Sequence, residues 1–213
     1  MTEKEFKEMR RQVACYMRRL YKRGLTTASG GNVSIRLEEG ILITPSAMDK
    51  GSIKGKQVGM ISFKGKNLTP SLKPSIESNM HLEIYRNRKD VNAIVHAHPP
   101  IASSFTATSV MINCSLIAEA RAIIGIPVTA PYALMGTEQL AQSVVSVALK
   151  EDVNVILLEN HGIVCLGKNL LTAFDRMEVF EAAAKMTLIT SLIGNEKPLS
   201  EDRLKEIDRL MQG

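Results

Sequence analysis

The sequence predicts a single α/β domain built from short strands, several of them joined as hairpins. Helical periodicities and short apolar strands follow one another along the chain, but without the strict strand–helix–strand alternation of a doubly wound sheet. A length of 213 residues is sufficient for one well-filled core. Apolar residues make up 45% of the chain and charged residues 23%, which is ordinary for a globular domain.

Six segments are predicted to be helical. Residues 3–23 repeat apolar side chains at steps of three or four and end at Gly24. The others are 75–88, with Ser75 as its N-cap, 101–109, 137–150, with Thr137 as its N-cap, 170–192 and the polar, charged segment 195–213. We therefore predict a catalytic domain over residues 1–194 and a polar C-terminal helix or tail over residues 195–213.

Five short segments are predicted to be strands. Residues 33–36 and 41–44 flank Glu39-Gly40 and are expected to form a hairpin. The other three strands are 91–98, 153–158 and 163–166. The Gly- and Lys-rich stretch that ends near Asn67 is expected to be a loop.

Charge, aromatic content and cysteines narrow the class of function. The formal charge of +5 suits a small phosphorylated or carboxylated substrate, whereas 4% aromatic residues and no tryptophan argue against nucleic-acid binding. Cys15, Cys114 and Cys165 are too scattered for a disulfide framework or a cysteine zinc site. Without a signal-peptide pattern or an apolar membrane span, we expect a cytoplasmic protein with no membrane partner.

Three of the four histidines follow apolar strands. His96 and His98 flank one residue of a predicted strand, so both project from the same face and can reach one ion. His161 follows another apolar strand. A single histidine would more often be a hydrogen-bonded structural residue, but three at strand ends favour a divalent metal with an open position, zinc or a similar ion.

Glu77 is the candidate carboxylate near this metal. Beside an ion it could be a fourth ligand or a proton acceptor, while its position alone favours a solvated residue that only helps to cap a helix. His81, four residues later, could replace one of the strand histidines as a ligand, although packing around the site is its more ordinary role. The glycine-rich Ser29–Asn32 turn, Ser46 and Ser75 offer donors to a phosphate, although a plain tight turn is the default interpretation of each.

Six stretches of this sequence, in this order, resemble the class II aldolase/adducin family, especially its L-fuculose-1-phosphate aldolase branch. They are SGGNVSIR, ILITPS, PSIESNMHLEIYR, VNAIVHAHPP, APYALMGT and ENHGIVCLG. The resemblance implies an α/β/α sandwich around a largely antiparallel or mixed sheet. It further implies a cytoplasmic homotetramer that cleaves a phosphorylated sugar, a ketose 1-phosphate, to dihydroxyacetone phosphate and an aldehyde.

The resemblance also assigns roles to individual residues. It implies that Zn²⁺, or another divalent metal, is held by His96, His98, His161 and, in the resting state, Glu77, which then serves as the catalytic acid and base. Substrate phosphate is expected at Gly31, Asn32, Ser46 and Ser75.

Departures from the family pattern fall on both the phosphate side and the aldehyde side. Ile76 replaces a second serine, Ala47 replaces a glycine, Leu116 lies near the place of one tyrosine, and no tyrosine follows Tyr132. A pentulose-phosphate epimerase resembles this chain with aspartate at the Glu77 position, and a methylthioribulose 1-phosphate dehydratase keeps a similar metal triad. An adducin-like interaction module without enzymatic activity is the remaining alternative.

Overall fold

A seven-stranded mixed sheet forms the centre of the protein. The structure is a computed structural model that describes residues 2–150 and 152–212. The strands are β1 (Asn32–Arg36), β2 (Gly40–Ile43), β3 (Gly59–Ser62), β4 (Ala93–Ala97), β5 (Val128–Ala130), β6 (Val155–Leu158) and β7 (Gly162–Gly167). Their order across the sheet is β3-β2-β1-β4-β7-β6-β5. Every neighbouring pair is antiparallel except β5 and β6, which confirms the mixed sheet.

Helices cover both faces of this sheet. They are α1 (Glu3–Lys22), α2 (Ser78–Asn87), α3 (Pro100–Phe105), α4 (Ala118–Ile124), α5 (Glu138–Ala148), α6 (Leu170–Ile193) and α7 (Glu201–Gln212). One apolar cluster joins one face of the sheet to α1, α3, α4 and α6, and a second joins the other face to α2 and α5. The α/β/α sandwich is therefore confirmed.

Strand pairing explains the two hairpins that lead to the site. The β1–β2 hairpin was predicted from Glu39-Gly40, and Ser34 indeed lies opposite Ile43. The β6–β7 hairpin pairs Leu158 with Gly162, so His161 lies in the tight connection between them. Because β4 is flanked by β1 and β7, three segments distant in sequence meet at its end.

Several elements differ from the predictions, and helix α4 was not predicted at all. β3 lies within the stretch predicted to be a loop, and the three-residue β5 was not predicted. Helix α2 begins at Ser78 with Glu77 in the N-cap position, so the prediction of Ser75 as the N-cap was wrong. The cause is local: the Ser75 hydroxyl accepts a hydrogen bond from Asn32, and its carbonyl accepts one from the Ser78 amide in a turn that precedes the helix.

The C-terminal segment packs on the body of the protein. Helix α7 contacts α4, and the Arg121 guanidinium donates two hydrogen bonds to Asp208, at 2.8 and 2.6 Å. The predicted terminal helix thus begins at Glu201 rather than at residue 195. The division of the chain at residue 194 stays a prediction.

Among residues 2–150 and 152–212, no helix combines the length and apolar character that a membrane crossing requires.

Phe174 is a strong test of the packing on the α6 side. Its ring is wholly buried, meets Tyr16 edge-on at 5.4 Å and lies 4.1 Å from the Arg19 guanidinium carbon. We expect Phe174→Ala to lower the free energy of unfolding by about 3–5 kcal/mol, because it removes this contact area and leaves a cavity. Urea unfolding measures the change. Leu171→Ala, at an exposed position on the same helix, should alter it by about 0.5 kcal/mol or less; equal effects would contradict the assigned packing.

Candidate functional site

Three histidines converge where β4 meets the β6–β7 connection. His96 lies in β4 and His98 follows its last residue, so the alternation of side chains brings both to one side. In the antiparallel pairing of β4 with β7, Ala97 is opposite Ile163, which places His161 beside them. The ring centroids of His96 lie 4.9 Å from those of both His98 and His161, and the latter two are 5.2 Å apart.

The donor atoms of these rings are suited to a metal ion. One nitrogen from each ring can be chosen so that all three lie within 4.8 Å of one another. The Nδ1 atom of His96 hydrogen-bonds the Ile163 carbonyl at 3.0 Å, which orients the ring with Nε2 toward the site. The Nε2 atoms of His96 and His98 are buried without a hydrogen-bond partner. Buried polar atoms are normally satisfied, so these orphaned nitrogens fit a cation.

Glu77 faces the same place. Its Oε2 lies 3.3 Å from His96 Nε2, and its Oε1 lies 3.3 Å from His161 Nε2. The residue is only 6% exposed and its side chain makes no capping hydrogen bond, so the interpretation of a solvated capping residue was wrong. The Asn32 amide donates to Oε2 at 2.7 Å, which leaves Oε1 buried without a hydrogen bond.

The electrostatics favour the protonation states that bind metals. Burial by itself would raise the pKa of Glu77, but the neighbouring His96 and His161 and the Asn32 amide outweigh it and hold the pKa well below its ordinary range. Burial and the two other rings lower the pKa of His98 to about 3, and burial also lowers that of His161. Burial disfavours a charged His96, yet the Glu77 carboxylate raises its pKa overall. The lowered pKa values of His98 and His161 favour the neutral rings that bind metals.

Two glycines leave room for the rings. A Cβ on Gly162 would stand 2.5 Å from Cδ2 of His98 and 2.7 Å from the Ala97 carbonyl oxygen. A Cβ on Gly30 would stand 2.9 Å from Nδ1 of His98. Side chains at these positions would push His98 out of the cluster, so both glycines have a steric role in the site.

The residues expected to bind phosphate lie next to this cluster. The Asn32 amide donates to Ser75 Oγ at 3.1 Å, and the Ser46 hydroxyl accepts the Ile76 amide at 3.1 Å. The structure thus brings Asn32, Ser46 and Ser75 together. Gly31 precedes Asn32 with φ +64°, and a Cβ there would meet the His96 carbonyl oxygen at 2.6 Å. Its lack of a side chain is required by this close approach.

The two substitutions in the phosphate region have different consequences. Ala47 has φ +52°, the left-handed region that favours glycine, so its backbone follows the conformation expected of the family's residue. Ile76 is 52% exposed, and its Cβ packs against Gly136 in the loop before α5. An apolar side chain therefore lies at the edge of the site where the family pattern has a hydroxyl.

His81 belongs to a buried polar chain behind the site. Its Nδ1 lies 2.6 Å from Ser34 Oγ, which lies 2.9 Å from the Tyr85 hydroxyl. His81 is not part of the cluster whose atoms can share an ion, so it is not placed as a substitute ligand. Ser34 and Tyr85 were not singled out in the sequence. The only signal was a polar residue on each of two otherwise buried segments.

Comparisons with known proteins agree with these features. The family model of the "Class II Aldolase and Adducin N-terminal domain" matches residues 11–188. The chain belongs to the class II aldolase and adducin family.

Members of this family with similar sequences have related names. An "L-fuculose phosphate aldolase" of Methanocaldococcus jannaschii is 36% identical, over 83% of this chain and 93% of the relative. A "5-deoxy-D-ribulose 1-phosphate aldolase" of Bacillus thuringiensis serovar kurstaki is 33% identical, over 96% of this chain and 95% of the relative. A "3-oxo-tetronate 4-phosphate decarboxylase" of Pectobacterium atrosepticum is 32% identical, over 79% of this chain and 78% of the relative.

A solved structure extends the family likeness to the fold. The chain named "L-fuculose 1-phosphate aldolase" superposes with a TM-score of 0.86 at 27% identity, and 97% of each chain is covered. The family's α/β/α architecture is thus shared over nearly the whole length.

The close approach of Gly162 to His98 predicts the effect of one methyl group on metal binding. We expect Gly162→Ala to lower the affinity of the cluster for a divalent cation such as zinc by about 10–100-fold, because it would displace the ring of His98, a candidate ligand. Competition with a chromophoric chelator measures the affinity. Gly65→Ala, in the turn after β3, is the control: alanine is strained there by φ +81° but meets no neighbouring atom, so the affinity should stay at the parent value. Unchanged affinity in Gly162→Ala would contradict the assignment of His98 as a ligand.

Proposed function

We propose that this protein is a zinc-dependent aldolase that reversibly cleaves a ketose 1-phosphate to dihydroxyacetone phosphate and an aldehyde. The observation that carries the proposal is the buried Glu77 carboxylate, 3.3 Å from both His96 and His161 and adjacent to Asn32 and Ser75. One small site therefore combines three candidate metal ligands, a candidate acid–base group and candidate phosphate donors. The names of the relatives support this reaction class and its phosphorylated substrates.

In the proposed site, His96, His98 and His161 would hold the cation, with Glu77 as a further ligand in the resting state. Nitrogen ligands with one carboxylate are a usual zinc set, although another divalent metal would be accommodated by the same donors. The bound ion supplies a Lewis acid that polarises the substrate carbonyl and stabilises the negative charge that develops during carbon–carbon cleavage.

Glu77 is the proposed proton carrier. Cleavage releases a proton from the hydroxyl group of the carbon that becomes the aldehyde, and the carbon left behind must take up a proton. A carboxylate within reach of both positions can accept the first and deliver the second. The Asn32 amide, which donates to Oε2, holds the carboxylate in place and leaves Oε1 free for this transfer.

Phosphate is proposed to bind against Gly31, Asn32, Ser46 and Ser75. The proximity of Ser46 to Ser75, through the Ile76 amide, supports a single pocket. A hydroxyl, an amide and the backbone around a glycine are suitable donors to phosphate oxygens. Binding of the phosphate group there would fix the orientation of the substrate relative to the three histidines.

The proposed oligomer and compartment follow from the family. We propose a cytoplasmic homotetramer with sites near subunit boundaries. Three large apolar residues in the loop beside Ile76 are more than half exposed, Tyr132, Leu134 and Met135. Coverage of this loop by a second copy would bury that surface.

Other reactions of the family are distinguished by their products. A panel of ketose and pentulose 1-phosphates, incubated with the zinc-loaded protein, should release dihydroxyacetone phosphate and an aldehyde from at least one compound. An epimerase would return one isomeric sugar phosphate, a dehydratase one dehydrated product, and a decarboxylase acting on an oxo acid would release carbon dioxide. If no zinc binds and no compound reacts, the proposal fails in favour of the adducin-like interaction module.

The acid–base role of Glu77 predicts a selective loss of turnover. Glu77→Gln keeps the shape of the side chain but cannot take up the proton, so kcat should fall by about 100-fold or more while zinc remains bound. Steady-state rates and metal content are measured on the same preparation. Glu83→Gln, in the same helix and paired with Arg86, should keep full activity. Unchanged turnover in Glu77→Gln would dismiss the proposed role.

A further inference from the structure

Lys50 is a buried lysine that has no role in the proposed reaction. Its side chain is only 1% exposed, and it is among the largest fully buried side chains of the described residues. Its ammonium donates one hydrogen bond, to the Pro45 carbonyl. Of the carboxylates in the described part of the chain, only Glu77 noticeably stabilises its charge, and the two form no direct ion pair.

A buried ammonium in such surroundings is unfavourable. Three N–H donors are present and one acceptor is recorded for them among the described residues. Burial lowers the pKa of Lys50 to about 8, against the opposing influence of Glu77. The group nevertheless remains mostly protonated at neutral pH. A charge kept at this energetic cost is more readily explained by an anion that binds nearby than by the stability of the fold.

The position of Lys50 connects it to the proposed phosphate pocket. Pro45, its hydrogen-bond acceptor, immediately precedes Ser46, whose hydroxyl accepts the Ile76 amide. The backbone amide of Lys50 donates to the Ala28 carbonyl, in the loop that leads to Gly31 and Asn32. Lys50 therefore contacts two of the segments that carry the proposed phosphate donors, one through its ammonium and the other through its backbone amide.

We propose that Lys50 supplies the buried positive charge that compensates the substrate's phosphate group. It is a positioning and charge-compensating residue, since in this structure its ammonium contacts the segment that carries Ser46 and not the pocket itself. The proposal rests on the proposed function and adds to it the source of positive charge. No arginine or lysine was among the predicted phosphate-binding residues, which are all neutral.

The competing explanation is that Lys50 only fastens the loop through Pro45. The two explanations predict opposite changes in stability without ligand. If the role of the ammonium is to compensate phosphate charge, Lys50→Met replaces a poorly compensated buried charge by an apolar side chain of similar length. The melting temperature should then stay equal or rise. If it serves the loop, loss of the hydrogen bond should lower the melting temperature.

The test measures binding of inorganic phosphate to the full chain by calorimetry. The zinc-loaded and the chelator-treated protein are both titrated, because phosphate also binds divalent cations. We expect Lys50→Met to weaken binding by about tenfold or more, and Lys50→Arg to restore most of it. Lys54→Met, at an exposed lysine four residues away, should change it less than about threefold, as expected of a screened surface charge.

Further readouts separate this proposal from the proposed function. With an active substrate, Lys50→Met should raise KM for the phosphorylated ketose, with a smaller effect on kcat and unchanged zinc content. If no sugar is cleaved but phosphate binding still depends on Lys50, the aldolase proposal fails and this one stands. Phosphate binding that is absent in the parent or equal in Lys50→Met overturns it, and so does a lower melting temperature of Lys50→Met without rescue of binding by Lys50→Arg.

Discussion

The burial of an ionised carboxylate among imidazoles is the interaction on which the site depends. An isolated carboxylate as buried as Glu77 would be strongly destabilising or protonated. Here the Asn32 amide and the flanking histidines keep it charged. Since these partners come from β1, β4 and the β6–β7 connection, the charge can be held only when the three segments are correctly paired.

Sheet register meets this requirement. Asn32 is directly opposite His96 in the β1–β4 pair, and residues opposite each other in antiparallel strands project to the same face. A slip of one residue would turn one of the two side chains to the other face. The close approach of Gly31 to the His96 carbonyl fixes that register at the start of β1. The Glu77 carboxylate and the histidine cluster are thus held together by the pairing of the central strands.

The sequence was informative where periodicity and chemistry agreed. The alternation in His96-Ala97-His98 was sufficient to predict a shared face, and the apolar strand before His161 predicted a second strand end. Prediction from the sequence failed at β3 and β5, which are the two edge strands of the sheet. Short edge strands are held by their single neighbour, and their own composition carries little signal. It also failed at Ser75, because a partner 43 residues away competes with helix capping.

Lys50 illustrates what local patterns cannot reveal. It lies in a stretch rich in lysine and glycine, where solvated side chains are the normal expectation. Only the folded loop, with Ala47 in a left-handed conformation and the amide of Lys50 bonded to Ala28, turns this one lysine inward. The histidine cluster could be inferred from spacing within strands because strand geometry is regular. The residues proposed to bind phosphate lie in loops whose conformation depends on contacts distant in sequence, so the buried charge beside them becomes visible only in three dimensions.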